Sequence, residues 1–136
     1  YNTVRVYLHD LLWADSAGFL TPLDTFLGIA DRCGIQTLFV FFDSCWYPFP
    51  RAGAQRPPEP GVHNSGWVQS PGVPVLRDPA RFAALEGYVV GTVAHFRDDA
   101  RVLGWDVWNE PDNPNTSSYG TRDLGERKGE IVLPLL

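Results

Sequence analysis

Leu103-Gly104-Trp105-Asp106-Val107-Trp108-Asn109-Glu110-Pro111 is a strand-like apolar run that delivers an Asn-Glu pair and stops at once on a proline. A carboxylic acid held at the mouth of a sheet can protonate a leaving oxygen. Placed beside Trp105 and Trp108, the Glu110 carboxyl is expected to lose solvation, which suits a general acid. Asn109 can donate its amide to a substrate hydroxyl, a bond able to strengthen in a transition state. The same residues also read as a plain strand terminator with an exposed Glu.

For this chemistry the strand must be one of several. Asn2 to Leu8 alternates around Val4, Val6 and Leu8 and reads as a first strand ending at His9-Asp10. Thr21 as N-cap, Pro22 at the first helical position and Asp24 three residues after the cap place a helix start there. Leu23, Phe26, Leu27 and Ala30 form its apolar face, and Gly34 supplies a left-handed stop. Ile35 to Phe42 is apolar almost throughout, the pattern of a parallel strand covered on both faces.

From Asp43 to Arg77 no regular element is legible. Its aromatic and polar residues, among them His63-Asn64-Ser65-Gly66-Trp67, point to an ordered functional loop and a substrate-lining lid. Pro57, Pro58 and Pro60 mark its most exposed part. Asp78-Pro79 opens a second helix with a buried stripe of Phe82, Leu85, Val89, Val93 and Phe96. The third strand spans Val102 to Trp108, and 126–136 reads as the beginning of a third helix.

Strand, helix, strand, helix, strand, helix start is a parallel α/β order. A complete (β/α)8 barrel needs roughly 250 residues, against 136 here. A flavodoxin-like open sheet suits the length, but no glycine-rich turn follows the first strand. The reading is a partial (β/α)8 TIM barrel, a single-domain fragment over residues 1–136, holding the second to fourth βα units.

A net charge of −5 argues against nucleic acid and anionic membranes as partners. No run is long enough to span a membrane. No leader is legible, though the chain opens on Tyr1 rather than Met. Cys33 and Cys45 favour two free thiols over a bridge. No cofactor motif is present, and His9, His63 and His95 lack metal-ligand spacing.

In a parallel α/β domain the C-terminal strand ends share one face, and that face carries the site. His9-Asp10, Asp43 to Trp46 and Asn109-Glu110 therefore converge on one rim. His9 and Asp10 can bond hydroxyls or begin a solvated loop; Asp43 can touch ligand or cap a loop. Trp46, Trp67 and Trp13 can stack on a ring or pack in the core.

Trp108-Asn109-Glu110-Pro111 after such a strand resembles the Asn-Glu-Pro signature of clan A glycoside hydrolases, which include the cellulase family. Asn2-Thr3-Val4-Arg5-Val6 resembles the clan's second strand, and the likeness runs from about Asn2 to Asp112. It implies a TIM-barrel retaining β-glycosidase acting on an oligo- or polysaccharide, outside the cytoplasm and without a cofactor. Glu110 would be the acid/base and Asn109 the ligand of the 2-hydroxyl. Arg5 would lie near the nucleophile. From their own positions near the rim, and not from the resemblance, His9, Asp43, Trp46, Trp67 and Trp108 are expected as further substrate contacts. Arg5 can equally pair with a buried acid. The clan's nucleophile closes its seventh strand, while this chain reaches the fourth. The nucleophile and the remainder of the barrel are thus expected elsewhere in a full-length chain, and the isolated chain is expected to be inactive. A non-catalytic carbohydrate-binding domain using the rim aromatics is the alternative.

Overall fold

Three strands, β1 (Thr3–Tyr7), β2 (Gln36–Asp43) and β3 (Val102–Asn109), pair in that order and all run parallel. Between β1 and β2 lies helix α1 (Ser16–Arg32); between β2 and β3 lie the short α2 (Val73–Leu76) and α3 (Phe82–Phe96). The computed structural model describes residues 1–111 and 113, so the helix expected over 126–136 lies outside the described residues. The class is α/β with a three-stranded parallel sheet, as the alternation of elements requires.

β2 is buried from Thr37 to Asp43, apart from half-buried Leu38, which its unbroken apolar run anticipates. Its odd residues face the helices. The Phe39 ring lies 6.0 Å from Phe96, and Phe41 meets Tyr88 edge-on at 5.4 Å. Phe19 of α1 reaches the same Tyr88 at 5.9 Å, so α1 and α3 cover one face of the sheet together. The opposite face carries Arg5, Tyr7 and Asp106, joined by hydrogen bonds.

Several expectations need correction. α1 begins at Ser16 rather than after Thr21, because the Asp15 side chain accepts from the Gly18 N–H and caps the helix earlier. Pro22 therefore sits inside the helix and deletes one bond of its ladder. The stop is as expected, with Gly34 at φ +68°. In α3 the fully buried stripe is Leu85, Tyr88, Thr92 and Phe96, with Phe82, Val89 and Val93 only flanking it. Thr92 enters the core because its hydroxyl donates to the Tyr88 carbonyl at 2.7 Å. The Asp43–Arg77 loop contains α2 and is tied to β2 by bridges from Asp43 to Ser70 and from Tyr47 to Val68. Cys33 is exposed, Cys45 is buried, and both are free thiols.

Two irregularities re-aim the strands. Thr37 pairs with Val102 but Leu38 with Gly104, so Leu103 is an extra residue in β3. At the other end, adjacent Phe41 and Phe42 both pack on Tyr88, at 5.4 and 5.8 Å. A regular strand would send them to opposite faces. Alternation is lost there, and Asp43 is released toward Asn109, to which it is hydrogen-bonded.

Trp13 fixes the seam between the segment after β1 and α3. A Cβ on Gly91 would lie 2.4 Å from both Cζ2 and Cη2 of its indole. Alanine is favoured over glycine inside a helix by about 1 kcal/mol, whereas overpacking costs about 1–3 kcal/mol. Gly91→Ala is therefore expected to lower the thermal midpoint, and Gly91→Ala with Trp13→Leu to recover part of the loss relative to Trp13→Leu alone. A raised midpoint in the single variant would mean that the indole yields without strain.

Candidate functional site

Each strand sends a polar group to the C-terminal end of the sheet. β1 supplies Arg5 and Tyr7, two residues apart and so on one face. Arg5 donates through Nε to Asp106 Oδ2 at 3.1 Å, and its Nη2 bonds the same oxygen. Nη1 donates to the Tyr7 hydroxyl oxygen at 2.7 Å. Nη1 and Nη2 each donate to Asn109 Oδ1 at 3.1 Å. Burial opposes the Arg5 charge, but the Asp106 bond and the neighbouring Tyr7, Asp106 and Asp43 outweigh it and raise its pKa. Its side chain remains 40% exposed, so the fork stands at an open rim.

Asp106 and Asn109 meet the same guanidinium although they are three residues apart. Strict alternation would separate them, so β3 rotates between them. Asn109 Nδ2 donates to Asp43 Oδ1 at 2.9 Å and lies 3.8 Å from Cys45 Sγ. Asp43 Oδ1 also accepts the Cys45 N–H at 3.0 Å.

Glu110 follows with φ +49° and an exposed side chain. The Asn113 N–H donates to the Glu110 carbonyl at 3.0 Å, closing a turn with Pro111 at its second position. Asn113 Nδ2 in turn donates to Glu110 Oε2 at 2.6 Å and lies 3.2 Å from Cys45 Sγ. Cys45 is thus the common neighbour of Asn109, Glu110 and Asn113. Burial first, then the charge of Asp43 and the bond to Glu110, push its thiol up to about 12.

The expectation that Trp105 and Trp108 desolvate Glu110 is corrected. Trp105 stacks on Phe41 at 5.1 Å and on Phe39 at 5.6 Å, on the helix side of the sheet. Trp108, expected against substrate, is only 7% exposed; it packs on Phe42 at 4.9 Å and donates its indole N–H to Ser44 Oγ. It is a core residue. Trp13 likewise belongs to the packing against Phe19 and Tyr88.

His9, expected at the ligand, serves the backbone. Its Nε2 bonds the Gln69 carbonyl and so carries the proton, while Nδ1 accepts the Leu11 N–H. That tautomer leaves Nδ1 without a proton for Asp10 Oδ1, although the two atoms lie 3.2 Å apart. Asp10 Oδ1 instead accepts from Ser70 Oγ at 2.6 Å, pinning the first and second rim loops together. Asp43 is 5% exposed and lies beneath Asn109 rather than at the open rim.

Trp46 and Trp67 do stand at the rim. Tyr7 and Trp67 meet edge-on at 6.1 Å, Trp67 and Trp46 at 6.2 Å, and Trp46 and His63 at 5.5 Å. Trp67 is half exposed. Among the described residues the three non-glycine residues with positive φ are Trp46, Asn64 and Glu110, all on loops beyond the C-terminal strand ends. Left-handed backbone at bulky residues is strain that the surroundings must hold. The rim therefore offers a carboxylate, an amide donor and a guanidinium beside an aromatic ridge. Among the described residues no three His, Cys, Asp or Glu side chains converge as a metal site.

Tyr7, Cys45, Asn113 and the anchoring role of Asp106 were not anticipated as parts of the site. Tyr7 was within reach, since it shares a strand face with Arg5. Asn113 follows from Pro111, because proline at the second position of a turn returns the fourth residue to the first.

The raised thiol has a measurable consequence. Folded Cys45 keeps its proton where the unfolded chain loses it, so stability is complete below about 9 and falls as pH rises toward about 12. Tyr7 and Tyr88, both raised by burial, steepen the fall once pH passes their ordinary 10.0. The unfolding midpoint is expected to decline from about pH 9, with Cys45→Ala flattening the segment below the tyrosine range. Under native conditions iodoacetamide should label exposed Cys33 and spare Cys45; equal labelling would contradict the buried thiol.

Compared with family models, curated proteins and solved structures, the chain matches none of them.

Proposed function

We propose that this chain is part of a retaining β-glycosidase barrel, with Glu110 as general acid/base and Asn109 as the donor to a sugar hydroxyl. The observation that carries the reading is the convergence of Arg5, Asp43 and Asn109-Glu110, from three different strands, beside the ridge of Tyr7, Trp67 and Trp46. Neutral polyhydroxy ligands suit such a surface: aromatic faces take the apolar side of a sugar ring, and the amide of Asn109, held by Arg5, donates to one of its oxygens. The Glu110 side chain is exposed, as a general acid that meets a ligand requires.

The barrel part of the reading rests on topology. Sequential strand order with α1 and α3 on one face fits a wall in which every crossover winds the same way. A doubly wound sheet would carry helices on both faces. The nucleophile is proposed to come from outside the described residues. Asp43 and Asp106, the carboxylates nearest on the strands, are already engaged with Asn109 and Arg5. A retaining mechanism needs its second carboxyl about 5–5.5 Å from the first.

Non-catalytic carbohydrate binding is the second reading, favoured by the aromatic ridge, which needs no help from Glu110. The full-length polypeptide separates the two. Glu110→Gln is expected to lower kcat/KM about 10²–10⁴-fold for aryl β-glycosides with poor leaving groups. The loss should be far smaller for a dinitrophenyl glycoside, whose leaving group needs no proton. Equal losses on both substrates would rule out the acid role. Absence of hydrolysis, with β-glucan oligosaccharide binding that Trp67→Ala abolishes, would favour the binding module. The isolated chain is expected to show little or no turnover.

A further inference from the structure

We propose that Asp43 is a positioning residue: with Arg5 it fixes the amide of Asn109 so that this residue meets a ligand only as a hydrogen-bond donor. The inference rests on the carbohydrate reading for the class of ligand, but not for the orientation of the amide.

A primary amide offers two oxygen lone pairs and two N–H groups. In Asn109 both lone pairs are taken, because Arg5 Nη1 and Nη2 each donate to Oδ1 at 3.1 Å. One N–H is taken by Asp43 Oδ1 at 2.9 Å. Among the described residues Nδ2 has one further contact, Cys45 Sγ at 3.8 Å, a weak partner. What remains for a ligand is one N–H.

The neighbours also settle which end of the amide is which. Turned over, Asn109 would set its NH₂ against the donors of Arg5 and its oxygen against the carboxylate of Asp43. Three hydrogen bonds would be lost and like groups would face each other.

Asp43 is the rigid half of this clamp. It is 5% exposed, its Oδ1 also accepts the Cys45 N–H, and its backbone is bonded in both directions to Ser70. Arg5 is long and 40% exposed, and Asp106 aims it. The group that Asn109 recognises must therefore accept a hydrogen bond. A hydroxyl oxygen qualifies, whereas an ammonium at the same place would oppose donor to donor.

The test reads the Asn109 side-chain amide by ¹H–¹⁵N NMR in the whole chain and its variants. In the wild type the two Nδ2 protons are expected to be well separated, since only one is bonded to a carboxylate. Asp43→Asn keeps an acceptor oxygen and should keep the separation. Asp43→Ala should collapse it to that of a free asparagine. Asp43→Ser, which retains a hydroxyl for the Cys45 N–H but is too short to reach Asn109, should do the same and serves if the alanine variant does not fold. An unchanged separation in Asp43→Ala or Asp43→Ser would overturn the positioning role.

Titration then uses methyl β-glucoside beside its 2-deoxy and 2-amino-2-deoxy counterparts. The wild type should prefer the 2-hydroxyl glycoside over the 2-deoxy form by about threefold to tenfold, the worth of one hydrogen bond. It should discriminate further against the ammonium, and both preferences should vanish in Asp43→Ala. Preference for the ammonium would overturn the donor-only assignment. If the Asp43 variants behave as expected on the free amide but no glycoside perturbs it, the positioning role stands and the carbohydrate reading fails.

Discussion

The pairing of β2 with both neighbours is the constraint from which the rest follows. Val40 pairs with Tyr7 on one side and Asp106 on the other, so the inner faces of the outer strands are held at one level. Parallel strands in register cannot slip by one residue without exchanging their faces. The helices enforce the register, because Phe39 and Phe41 must meet Phe96 and Tyr88. Given that lock, Arg5 has Asp106 and Asn109 within reach, and Asn109 has Asp43 beneath it.

The rim is consequently a network of charges that restrain one another. Among the described residues Arg5 is the one cation hydrogen-bonded to Asp106 and Asn109, and Asp43 approaches it through the amide. An exposed ion pair contributes little to stability. The value of this one is directional: a planar fork on two acceptors leaves few orientations for either. Sequence periodicity carries no information about such a network. It reports which residues share a face, whereas the bonds depend on two places where the faces change.

That distinction explains what the residues disclosed in advance. The three strands, their parallel order, the ordered loop and the rim at their C-terminal ends were legible, since β2, buried on both faces, leaves an unbroken apolar run and the more open β1 an alternating one. The start of α1 was not, because Thr21-Pro22 offers a helix opening as good as the one at Asp15, and the aromatic Trp13–Phe19–Tyr88 packing decides between them. Trp108 was misplaced for a related reason. A tryptophan next to an Asn-Glu pair suggests a ligand platform, but the rotation of β3 turns it onto Phe42. Asp43 was legible as a rim residue without its role, which depends on the loss of alternation at Phe41-Phe42.

The left-handed backbone at Trp46 and Glu110 carries a lesson for anyone altering this molecule. Glycine at either position would relax the main chain, and asparagine would tolerate it better than the residues present. A library ranked by heat resistance alone would thus drift toward small residues at these two places. It would return a sturdier scaffold stripped of its ring platform and its carboxylate. Keeping both requires a criterion other than survival of the fold.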